Sequence, residues 1–237
     1  MAGSRAGPSG VAGDEQPPGD PLLYRVADEL FHQLGGPEHA DELAAAREVC
    51  EERRGRVRQD EELWEQWTQA FLEWFAFEWE GGQLALRALA GEAEARRAAA
   101  LRAWLRSQRA LVEIGQHEPG RVRVRDLCRG ALFDVAERRS LHGVEPGDVA
   151  EVRLIGFDGQ VRFGRTFLYH PAGTRAAIEE RIGQLRAQGR SAADIIDHCA
   201  ALLLRTDRYR HIDPVRLYRA ASEEPLPERD RDDGGEQ

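Results

Sequence analysis

Five runs decide the fold: LVEIGQHE (111–118), RVRVRDL (121–127), ALFDVAE (131–137), DVAEVRLIGF (148–157) and VRFGRTFLY (161–169). Pro119-Gly120, Arg129-Gly130, Pro146-Gly147 and Asp158-Gly159 punctuate them, and such dipeptides mark turns. Val122, Val124 and Leu127 set against Arg121, Arg123 and Arg125 alternate roughly with period two. That is a half-buried strand with an arginine-lined outer face. Val149, Val152, Leu154 and Ile155, then Val161, Phe163, Phe167 and Tyr169, keep the alternation less strictly. Short strands joined by tight turns and flanked by helices predict an α+β protein with a small central β-sheet or an OB-like open barrel.

Outward from this unit the pattern is helical on both sides. Leu22, Leu23, Val26, Ala27, Leu30, Phe31 and Leu34 recur at three- and four-residue steps after Pro21, with Asp20 as the expected N-cap. Gly35-Gly36-Pro37 ends that helix, and a second is expected over about 38–54. A third, over about 60–79, carries Trp64, Trp67, Phe71, Trp74 and Phe75 on one face, with Phe77 and Trp79 beyond. Such a face buries a large area, so it reads as a core seam before it reads as a stacking platform. Helices over 83–89 and 92–109 follow, the latter with Arg96, Arg97, Arg102, Arg106 and Arg109 assigned to a solvated face or to pairs with Glu92 and Glu94. After the strands, Thr174 is the expected cap of a helix over 175–188. Ser191 with Asp194 gives a capping-box start to another, and Asp213-Pro214 opens a last turn. The expected organisation is a disordered tail (1–20), a helical subdomain (21–110), a β unit (111–170), C-terminal helices (171–221) and a disordered acidic tail (222–237).

Composition excludes several functions. The chain of 237 residues has a net charge of -9, which argues against a bulk nucleic-acid binder. All 33 basic residues are arginines, and neither Lys nor Asn occurs, the mark of a GC-rich bacterial coding bias. No lysine means no Schiff base and no phosphate-loop lysine. Cys50, Cys128 and Cys199 are widely spaced, which is neither a disulfide framework nor a zinc pair, and reduced thiols suit the cytoplasm. No secretory h-region and no membrane-length apolar run is read in the sequence.

The residues Trp74, Phe75 and Phe77, then Leu111, Val112 and Glu113, Arg125, Asp126, Leu127 and Gly130, Ser140 and Leu141, and Gly147 with Asp148 carry a resemblance. Over roughly 63–170 the chain resembles a bacterial family of uncharacterised proteins that often sit beside a SEC-C zinc-binding module. The cysteine-rich module itself has no counterpart here. The resemblance implies a fold pattern and no activity.

Candidate sites are few. Asp194 and His198 share a helix face, but one Asp and one His make half a metal site, so no metal or other cofactor is expected. Cys128 lies between Arg125 and Arg129, which lower a thiol pKa, yet no base neighbours it in sequence. No catalytic constellation is found. From Arg106 to Arg175 twelve arginines face nine acids. Two binding surfaces follow. Arg121, Arg123 and Arg125 suit a protein partner, because guanidiniums pair with carboxylates. Arg162, Arg165 and Tyr169 suit RNA or another single strand, with the aromatic ring stacking on bases. The preferred reading is a non-enzymatic cytoplasmic binding or adaptor protein, with no membrane contact and with nucleic acid as the alternative partner.

Overall fold

The computed structural model describes residues 21–34, 36–137 and 143–220. The expected tails, the Asp20 cap, and Arg138, Arg139, Ser140, Leu141 and His142 lie outside them. Five strands form where the alternation predicts them: β1 (Gln108–Glu118), β2 (Gly120–Asp126), β3 (Leu132–Glu137), β4 (Val149–Phe157) and β5 (Gln160–Tyr169). Their order is β1-β2-β3-β5-β4, and β4 returns to β1, so the sheet closes into a barrel. The neighbours are antiparallel except β3 and β5, which meet in parallel at Val135 and Val161. Of the expected small sheet or OB-like open barrel, the strands take the barrel form, and that one pairing closes it. The β4–β5 turn puts Asp158 at φ 48° and Gly159 at φ 72°. Two successive positive φ values match the right-handed strand twist, which is why Asp-Gly stands there.

Helices pack on the barrel in two groups that meet each other. The first is α1 (Pro21–Gln33), α2 (Ala40–Arg54), α3 (Trp64–Phe77), α4 (Gln83–Gly91) and α5 (Ala95–Leu105). The second is α6 (Arg175–Ala187), α7 (Ala192–Arg208) and α8 (Pro214–Arg219), with α2 and α3 packed against α7. The expected core seam of α3 is buried at Trp67, Phe71, Trp74, Phe75 and Phe77. Phe77 stacks on Trp104 of α5, with ring centroids 4.7 Å apart. The Trp104 indole N–H donates to the Leu23 carbonyl at 2.7 Å, so its one polar atom is satisfied inside the core. Each such ring contributes about 2–3 kcal/mol by leaving water.

The barrel interior holds Val112, Ile114, Val122, Val124, Val152, Leu154 and Phe163. β4 is buried on both faces. Ala150, Val152 and Leu154 point into the barrel, Ile155 and Phe157 join the α1–α5 core, and Val149 joins the α6–α8 core. A strand covered on both sides has no solvated face, so Val149, Ile155 and Phe157 take outer positions as well, which explains its looser alternation. α7 has the expected capping box: Ser191 Oγ accepts from the Asp194 N–H, and Asp194 accepts from the Ser191 N–H. Thr174 precedes α6 as expected, but its hydroxyl donates to the Pro171 carbonyl rather than capping. The helix expected over 92–109 stops at Leu105, and Gln108 already belongs to β1. Among the described residues no helix is long and apolar enough to cross a membrane.

Candidate functional site

The helices leave one sector of the barrel open. It comprises the far end of β1 with β2 and β3, where Gln116, Glu118, Arg121, Arg123 and Asp134 line a shallow cleft. Beside it Leu132 is 68% exposed, the largest exposure of any big apolar side chain in the described core elements. The arginines stand on this face because β2 alternates: Val122 and Val124 are buried while Arg121 and Arg123 are exposed.

The register decides what each guanidinium meets. Arg123 lies opposite Asp134 on β3 and pairs with it at 3.1 Å. Arg125 lies opposite Glu113 on β1, pairs with it at 2.9 Å, and reaches Glu179 of α6 at 2.5 Å. Arg175 adds a second guanidinium to Glu113 at 2.7 Å. Arg125 therefore ties α6 to the barrel and is not part of an open row. Arg121 lies opposite Glu118 and makes no ion pair among the described residues. The row of three thus contracts to Arg121 and Arg123, set among acids.

The second predicted surface is divided. Arg162 donates to Gln160 at 2.8 Å, and Arg165 pairs with Asp28 of α1 at 2.5 Å while lying over the Tyr24 ring. Tyr169 stacks against Phe167 at 5.8 Å and is half-buried against the barrel's interior cluster. The irregular register of β5 against β4 separates these residues: Phe163, Phe167 and Tyr169 pack on the barrel cluster, while Arg165 between them meets α1.

Sequence reasoning missed a buried ionic chain between barrel and helices. Arg54 of α2 forms a bidentate pair with Glu151 of β4 at 3.0 and 2.7 Å. Arg109 of β1 bonds Asp197 of α7 at 2.6 Å and Glu78 at 3.1 Å. Arg153 of β4 pairs with Glu78 and lies 3.4 Å from Glu73 of α3. Arg153 and Glu73 are each 1% exposed. Burial opposes the Arg109 charge, but Glu78, Asp197 and Glu151 outweigh it and its pKa is raised. Burial works against the Glu78 charge too, yet Arg153 and Arg109 hold its carboxyl below the ordinary value. Glu73 goes the other way, its pKa raised by burial against Arg153 and two backbone N–H groups. Arg109, assigned from sequence to a solvated helix face or to pairs with Glu92 and Glu94, is thus a strand residue inside the protein. The available signal was Glu151 and Arg153 on a strand too apolar to have a solvated face.

The chain's nucleophile and base candidates are poorly placed for catalysis. All three cysteines are buried and free. Burial and then Asp126 push the Cys128 thiol up to about 12, beyond what Arg129 offsets. Asp126 instead builds the turn, accepting from the Cys128 and Arg129 N–H groups at 2.8 and 3.1 Å. His170 meets the Tyr218 hydroxyl at 2.5 Å, and burial, with Arg54 nearby, lowers its pKa to about 3. A second, smaller cleft lies between α2 and α3, by Trp64, Trp67 and Phe71. Comparisons with family models, curated proteins and solved structures gave no match.

Proposed function

We propose that this protein is a non-enzymatic binding module that docks another protein on the open β1–β2–β3 sector of its barrel. One observation carries the reading. Arg121 and Arg123 stand among Glu118 and Asp134, beside exposed Leu132. Interleaved charges with an apolar contact complement a protein surface, whereas a polyanion meets repulsion at each acid. The aromatics of β5 support the same choice: Phe163 is buried and Phe167 and Tyr169 are half-buried against the barrel cluster, whereas an RNA strand needs exposed rings for stacking. Free cysteines support placing it in a reducing cytoplasm.

The test is affinity capture from the native host under nuclease, with wild type beside Arg121→Glu and Leu132→Asp. The reading expects one protein retained by wild type and lost from both variants. A nuclease-sensitive complex with steep salt dependence would instead favour single-stranded nucleic acid.

A further inference from the structure

The open barrel sector carries two accessible anchors at a fixed spacing. In the β2–β3 register Arg121 lies opposite Ala136, Arg123 opposite Asp134 and Arg125 opposite Leu132. Opposed residues share a face of the sheet, and so do residues two apart on one strand. The outer face therefore carries three rungs, about 7 Å apart. Arg121, Arg123, Leu132 and Asp134 are all exposed on it.

The rungs differ in what they leave without a partner. Arg125 is neutralised by Glu113 and Glu179, and Arg123 by Asp134. Arg121 makes no ion pair among the described residues, and the residue opposite it on β3 is the small Ala136. The face thus begins with a free cation at Arg121. It crosses the neutral Arg123–Asp134 pair, with Gln116 lining the same cleft, and ends in bare apolar surface at Leu132. The end rungs are held by Leu132 and Ala136, four residues apart on β3, so the anchors stand about 13 Å apart along the strand.

We propose that this face takes an extended segment of the partner protein, in which an acidic side chain stands four residues from a large aliphatic one, the spacing of the end rungs. This segment is the docked part of the partner proposed above, so the assignment rests on that reading. In an extended chain such positions share a face and lie about 13 Å apart, as the anchors do. The acid meets Arg121, the aliphatic side chain covers Leu132, and a polar side chain between them lies over Arg123 and Asp134. A helix matches less well, because its same-face repeats fall at about 10 and about 16 Å. A nucleic-acid strand offers no aliphatic group to Leu132 and brings its phosphates against Glu118 and Asp134.

The probe is the peptide Leu-Thr-Thr-Thr-Glu-Thr-Thr-Thr-Leu, which presents the spacing in either chain direction, titrated into the full isotope-labelled chain. Amide resonances of Arg121, Arg123, Leu132 and Asp134 should move while those of α5 stay fixed, and binding should weaken with salt. Arg121→Glu and Leu132→Asp should each weaken it about fivefold or more. Lysine in place of the peptide's glutamate should restore binding to the Arg121→Glu chain. The isomer Thr-Leu-Thr-Thr-Glu-Thr-Thr-Leu-Thr, whose leucines turn to the opposite face, should also bind about fivefold more weakly. Unmoved amides at about millimolar peptide, equal binding of the isomer, or no rescue by lysine overturns the proposal. An oligouridylate that moves the same amides and displaces the peptide overturns it in favour of nucleic acid. Capture from the host separates the two failures. A protein lost from Arg121→Glu and Leu132→Asp but not released by the peptide overturns the extended motif alone. Capture indifferent to both substitutions overturns the docking reading and the motif with it.

Discussion

Glu73 Oε1 accepts the backbone N–H of Arg165 at 2.8 Å, and that of Thr166 at 3.2 Å. A helix carboxylate thereby replaces the strand partner that β5 lacks where its register with β4 shifts, between Val152 and Leu154. The shift sends Phe163 and Phe167 into the barrel and turns Arg165 toward α1. Glu73 joins this bend to Arg153, so the bend and the ionic chain share one residue.

Glu73→Ala strands two buried N–H groups and should cost about 2–4 kcal/mol by urea denaturation, whereas Glu73→Gln keeps an acceptor and should cost about 1 kcal/mol. Gly164→Ala tests the same cradle. Its methyl would lie 3.0 Å from Arg153 Cβ and 3.1 and 3.2 Å from the Glu73 carboxylate oxygens. The expected loss is about 1–3 kcal/mol. Equal costs for Gln and Ala at Glu73 would show that pairing with Arg153, not capping of the bend, is what matters.

Arg109→Met leaves Asp197 and Glu78 without their nearest cation in β1. Breaking a buried pair from one side costs about 3–5 kcal/mol. Chemical denaturation should show a loss of that size. A loss below about 1 kcal/mol, the worth of an exposed pair, would mean that water reaches the network.

His170 gives stability a pH dependence of defined sign. Its folded pKa is about 3, against an ordinary value near 6.5. Between those values the unfolded chain binds the proton and the native chain does not, so stability is full above pH 6.5 and falls as pH drops toward 3. His198, also lowered, acts in the same sense, and Glu73, raised, in the opposite one. The urea midpoint of wild type should therefore drop more between about pH 7.5 and 5.5 than that of His170→Gln. Equal drops would place His170 in contact with solvent.

The thiols should be inert in the native state. Burial raises Cys50, Cys128 and Cys199. A disulfide reagent near pH 8 should label none of the three cysteines in buffer and all of them in denaturant. Rapid labelling of Cys128 without denaturant would revive it as a nucleophile.

The strands and helices were legible because their periods are. Val122 with Arg123, or Trp67 with Phe71 and Trp74, declare strand or helix without tertiary information. Asp158-Gly159 likewise carries its turn in its own φ values. Charge placement was not legible. Arg109, Arg153 and Glu151 look like surface residues until α2, α3 and α7 close over them, because sequence does not show which opposite charge waits inside. Arg125 misled for a related reason: its partners Glu113 and Glu179 come from distant segments, so three alternating arginines read as one open row.

The most direct test of the open barrel sector is a photo-crosslinking residue in place of Gln116, used in the native host. The account predicts one discrete protein adduct that survives nuclease and is absent when the crosslinker stands at Ala99 on α5. A nucleic-acid adduct, or the same adduct from Ala99, would contradict it.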